Sequence, residues 1–161
     1  MLELAFPVYD QDLIYAQKLV ADLSEDQITK QPVAGQAMNH PALTIGHLAY
    51  TNNFAATLLG HPMECPAEWK ELLGNSAKPQ ADRSLYPSKA VLLSALESAH
   101  SRLKAAIVSA KPEQLAEPAP ERMRNRYPTV EHVLLFLLTA HEAVHLGQLS
   151  AWRRASGLPP V

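Results

Sequence analysis

Only one of the 161 residues is a cysteine, Cys65, so no internal disulfide can staple this chain. A reducing compartment is compatible with that usage. Excess basic charge is missing too. With histidine neutral the formal net charge is -2, which leaves no positive field to hold nucleic acid. Arg122, Arg124 and Arg126 cluster locally, but three charges in a loop read first as solvated. No apolar run approaches the roughly 20 residues of a membrane span. The longest, 133–140, has polar residues on both sides. The first six residues are apolar but short and carry no basic leader, so no secretory signal is expected and a cytoplasmic location is. There is no internal repeat, no low-complexity tract and no convincing β-strand. What remains is ordinary globular composition, 47% hydrophobic and 19% charged, expected to fold as a single domain over 1–161.

Proline and glycine cut the chain into four long helical segments. Over 8–23, Leu13, Ala16, Val20 and Leu23 recur at spacings of three and four and build one apolar face. Ser24 to Gln27 resembles a cap before a further short turn, and Pro32, Gly35 and Pro41 mark a loop. In the second segment, 42–59, Leu43, His47, Phe54 and Leu58 share a stripe, and Gly60 and Pro62 close it. A short helix over 66–73 follows, with Pro66 in its first turn and Gly74 as its stop. Ser88 caps the third long segment, which runs to about 110 with Leu92, Leu96, Ala99, Leu103 and Ile107 inward. Pro112, Pro118, Pro120 and Pro128 keep the next connection open. Thr129 caps the last segment, Glu131 complements its dipole, and it continues to about 155, ahead of Gly157. Four amphipathic helices of this length predict an all-α fold, a four-helix up-and-down bundle with additional short helices.

The sharpest chemical signal is His141-Glu142-Ala143-Val144-His145. Four residues of α-helix are about 400° of rotation, so the two imidazoles stack one turn apart within reach of one ion. Leu134, Leu138, Leu149 and Trp152 lie near the same stripe, which turns both rings toward the core. Buried imidazoles need partners. Hydrogen-bonded core histidines are one solution; a metal satisfies both at once. His47, on the apolar stripe of another helix, is the best third ligand. Three neutral imidazoles leave a divalent ion its charge and open positions, as catalytic sites do. His100 lies beside the third helix's stripe, as an alternative ligand or a residue behind the ligands. His132, nine residues before His141, is about 180° away round the helix. His40 and His61 are expected to be loop residues at the surface or at caps.

His-Glu-x-x-His is also the pattern of zinc metalloproteases, with the glutamate as general base. Those enzymes normally take a third ligand downstream, and residues 146–161 hold no His, Asp or Glu. They also need an edge strand for the peptide. Glu142 is therefore expected at the rim of the site or on a neighbouring interface, with a weak claim to a role as base.

Two passages resemble the DinB-like family: Thr44-Ile45-Gly46-His47-Leu48-Ala49, and the stretch from Thr129 through His141-Glu142-Ala143-Val144-His145-Leu146-Gly147-Gln148 to Trp152-Arg153-Arg154 and Gly157-Leu158-Pro159. Leu85-Tyr86-Pro87-Ser88 is similar as well. The resemblance implies a helix bundle with a three-histidine site, often in a homodimer, for a divalent transition metal such as nickel or zinc. It places the ligands on His47, His141 and His145. It further implies Gln148 as a donor behind His145, Gly147 as a site of close helix packing, and Tyr50 and Thr51 as pocket lining. Trp152 reads as core. Family members with assigned activity include transferases and isomerases that use a low-molecular-weight thiol (bacillithiol, mycothiol or glutathione). The expectation is therefore a small-molecule substrate, with Arg122, Arg124 and Arg126 available to an acidic thiol. A hydrolase using water at the same ligands, or a binding protein without turnover, are the alternatives. Imidazole alone does not choose among zinc, nickel, copper and iron.

Overall fold

The computed structural model describes residues 2–161. A 3-10 turn, Leu2–Ala5, leads into α1 (Phe6–Val20). Then come α2 (Pro41–Thr57), α3 (Trp69–Leu73), a second 3-10 turn (Arg83–Leu85), α4 (Lys89–Ser109), α5 (Pro112–Ala116) and α6 (Glu121–Arg124). The last long segment is α7 (Val130–Phe136), a π-helical turn (Leu137–His141) and α8 (Glu142–Ala155), joined in one rod. Among the described residues there is no strand, only an isolated bridge between Pro118 and Thr129. The all-α expectation holds. α2 packs on α4, α4 on α1, α1 on α8, and α8 on α2, which closes a ring of long helices.

The caps explain the boundaries. α1 starts earlier than the stripe predicts because Pro7 is tolerated in a first turn. Ser88 accepts the Val91 amide at the head of α4. Gly60, with φ of +84°, ends the turn after α2, where a side chain would be strained. Thr129 takes the N-cap position of α7 without bonding the backbone; its hydroxyl meets His132 Nδ1 at 2.7 Å instead. The connection read as open holds two short helices, because Pro112 sits in the first turn of α5 and Pro120 at the cap of α6.

The rod Val130–Ala155 is long and apolar enough to cross a membrane by length and composition alone, which the residue-by-residue reading of short runs did not anticipate. It serves as a core helix: Leu146, Leu149 and Trp152 are buried against the other helices. Arg153 is buried on it as well. Its guanidinium holds both oxygens of Asp22, at 2.6 and 3.0 Å, and the Leu19 carbonyl at 2.9 Å, which pins the end of α8 to the end of α1.

Candidate metal centre

His47 is fixed by the short helix opposite it. Leu73, at the end of α3, accepts a hydrogen bond from His47 Nδ1 at 2.8 Å. That bond sets the tautomer and leaves the lone pair on Nε2, which faces the rod. α3 reaches this position because residue 46 is glycine: a Cβ there would lie 2.6 Å from Leu73 Cδ2 and 3.1 Å from Leu92 Cδ2. Gly46→Val is therefore expected to cost about 2 kcal/mol and to weaken divalent-metal binding, measured by denaturant melts and metal titration of the same sample. Gly147, by contrast, has nothing within 4 Å of an added Cβ, so the close approach expected of it belongs to Gly46.

The rod supplies the other two rings. His141 closes the π turn and His145 lies one turn into α8. His47 Nε2 and His141 Nε2 are 3.2 Å apart. The ring centroids of His47 and His145, and of His141 and His145, are both 4.6 Å apart. One nitrogen from each residue falls within 4.8 Å of the others. The π turn changes which face is which. One extra residue in a turn sets everything downstream back by about 100°. Leu138, Glu142 and Leu146 consequently point into the core, while His141 and His145, half-buried, stand at its edge and face a cleft.

Burial holds all three rings neutral. It lowers His141 to about 3 and His145 to about 4, with repulsion from the neighbouring rings adding to both, and it lowers His47 despite the Leu73 bond. Three neutral imidazoles at one point are a ligand set for a divalent transition ion. Nitrogen–metal bonds of about 2.0–2.1 Å place ligand nitrogens roughly 3.3 Å apart in a tetrahedron, the separation His47 and His141 already have. His145 Nδ1 is buried with no hydrogen-bond partner. The residues present fit such an ion.

Two recesses flank the cluster. One, about 280 Å³, is lined by Asn39, Thr44, Asn75 and the three histidines. The other, about 360 Å³, is lined by Tyr50, Thr51, Phe54, Lys70 and Arg122. Gly74 and Asn75 border both. The Thr51 hydroxyl is 3.5 Å from His47 Nε2. Behind His145, Gln148 accepts from Asn39 Nδ2 at 2.9 Å.

A family model described as the DinB superfamily matches residues 10–149. The chain belongs to the DinB superfamily. Comparison with curated proteins and with solved structures returned no match. Within this DinB protein the remaining polar residues fall away from the cluster. His100 stacks on Tyr9, centroids 3.8 Å apart, and its Nε2 meets Asp10 Oδ1 at 2.8 Å, so it is neither a ligand nor a neighbour of one. His132 and His61 lie outside the cluster as well. His40 is a cap but not a surface residue: it is fully buried, its Nδ1 accepts from the Leu43 amide and its Nε2 donates to the Gln80 carbonyl. Of the three arginines, Arg122 lies over the Phe54 ring at 5.3 Å and lines the second recess, while Arg124 donates to the Ala119 carbonyl.

Glu142 lies deeper than expected. Of the two places expected for it, it takes the interface with a neighbouring helix and not the rim, buried there because the π turn rotates it inward, where Asn52 Nδ2 donates to Oε1 at 3.0 Å. Burial pushes its carboxyl up to about 8 against the Asn52 bond. The folded pKa is raised, so the stability cost is absent below about pH 4.5 and grows as pH rises, while the unfolded chain ionises and the native one does not. Glu142→Gln is expected to gain stability over wild type between pH 5 and 8, by about 1.4 kcal/mol per unit at most. It should show no gain at pH 4, in denaturant melts of metal-free protein. A constant difference across that range would contradict a protonated Glu142.

Proposed function

We propose that this DinB-superfamily protein is a metal-dependent enzyme that joins a low-molecular-weight thiol to, or isomerises with its help, a small electrophilic substrate. His47, His141 and His145 would hold one divalent transition ion, nickel or zinc. The observation that carries the reading is a recess walled by the three histidines with a second recess beside it, bordered by the same Gly74 and Asn75, each large enough for part of a small molecule. A bound divalent ion lowers the pKa of a thiol, so that a thiolate exists near neutral pH.

The rest is work for this chain's own side chains. Lys70 and Arg122 in one recess suit the carboxylates of an acidic thiol, and Phe54 stiffens Arg122 by stacking under it. Asn39, Thr44 and Asn75 in the other offer uncharged hydrogen bonds to the electrophile, and the Thr44 hydroxyl is buried with no partner of its own. The nucleophile comes from outside, since burial pushes Cys65, the single cysteine, up to about 11. The reading also takes the protein as cytoplasmic, where cellular thiols stay reduced, and as a homodimer, checked by light scattering.

The deciding experiment supplies glutathione and an electrophilic bimane, with and without added nickel or zinc. Metal-dependent thiol loss matched by conjugate, with the apparent KM for thiol raised in Arg122→Ala, supports the reading. Ester or amide cleavage without thiol loss would make the protein a hydrolase. No turnover in either assay, with metal bound, would make it a binding protein.

A further inference from the structure

The two ligand-bearing helices are tied by one bond behind the site. Asn52 lies five residues after His47 on α2, and Glu142 follows His141 on the rod. Each is only 1% exposed, and the bond between them is 3.0 Å. Apart from contacts of the histidines themselves, it is the one side-chain hydrogen bond joining α2 to the rod among the described residues.

A buried carboxyl is a costly way to hold two helices together, because an apolar pair of the same volume does so without a desolvation penalty. What the polar pair adds is direction. Apolar contacts permit sliding and rotation, whereas a hydrogen bond fixes length and angle. Rotation is the vulnerable coordinate here. Glu142 is the first residue after the π turn Leu137–His141. If that turn tightened to regular α-helix, the residues beyond it would advance by about 100°, carrying Glu142 off Asn52 and His145 away from His47.

We propose that Asn52 and Glu142 are positioning residues that hold the π turn in register and thereby keep His47, His141 and His145 convergent. The proposal rests on the metal reading above for its affinity arm only. Neither residue touches the point where the three rings meet; the effect passes through the helix.

The test uses the double variant Asn52→Leu with Glu142→Met. Replacing both partners by apolar groups of similar shape is nearly neutral for stability, so the protein should fold. Glu142→Gln, which keeps the acceptor carbonyl, is the conservative control. Zinc affinity by competition with a chromophoric chelator is expected to fall at least about tenfold in the double variant and to stay within about twofold in Glu142→Gln. The cobalt(II) absorption bands should change in the first and not in the second. In metal-free protein, the imidazole proton–nitrogen correlations of His47 and His141 should move in the double variant and return in Glu142→Gln. A folded double variant with wild-type affinity, cobalt bands and imidazole signals overturns the proposal. If wild type binds neither zinc nor cobalt, the metal reading fails, and the imidazole signals alone decide: shifted signals support the positioning role and unchanged ones end it. Should the double variant not fold, Asn52→Leu alone is measured by the same readouts, with the same outcomes deciding.

Discussion

Replacing His47 with alanine is expected to remove the stabilisation that nickel or zinc gives the wild-type protein. An ion that binds the folded state alone, at 1,000 times its Kd, raises stability by about 4 kcal/mol. With His47 gone, two imidazoles on one helix remain, and affinity should fall by roughly a thousandfold, so the same metal concentration should shift the melting temperature little. The variant itself should fold. His47 donates to the Leu73 carbonyl and otherwise meets His141 and the Thr51 hydroxyl through Nε2, on the wall of the cleft. Its loss leaves the buried Leu73 carbonyl without that donor, at a cost of about 1–3 kcal/mol. Thermal melts with and without metal, for wild type and variant, check this. Equal metal-induced shifts in both would remove His47 from the ligand set.

The second large effect concerns the rod that carries the other two rings. Trp152 is 1% exposed, packs in the cluster with Ile28, Leu149 and Leu48, and donates its indole N–H to the Lys30 carbonyl at 2.8 Å. Trp152→Ala is expected to destabilise the fold by about 3–5 kcal/mol, with a further cost for the stranded Lys30 carbonyl. A total of that size is a large part of the stability of a domain this long. The midpoint of denaturant unfolding should drop with the slope unchanged. Trp152→Phe should recover more than half of the loss in stability. A loss below about 1 kcal/mol for the alanine variant would mean that the rod is not anchored at this end.

The helices were legible because their ends are chemically marked. Ser88 caps α4 as a serine before an apolar periodic run should, and Gly60 stops the turn after α2. The histidine cluster was legible for a related reason: His47 breaks an apolar stripe, and His141 and His145 repeat at the spacing of one turn. The π turn was not, since no residue pattern distinguishes a five-residue turn from an ordinary one. The burial of Glu142 was missed with it, whereas Leu149 and Trp152, further along the rod, are buried as their stripe predicts. His100 was misjudged for another reason, because Asp10 is 90 positions away and periodicity says nothing about contacts between helices. Two signals were present and unused. A proline at position 41, inside the first turn of α2, marks His40 as its N-cap. Gly46, set among residues buried on all sides, marks a close approach better than Gly147 does on an exposed face.

Elemental analysis of protein purified without a metal-affinity column bears most directly on the three-imidazole site. Wild type is predicted to carry about one divalent transition ion per chain and His145→Ala, purified in parallel, close to none. Equal metal content in the two proteins would contradict the site at its foundation.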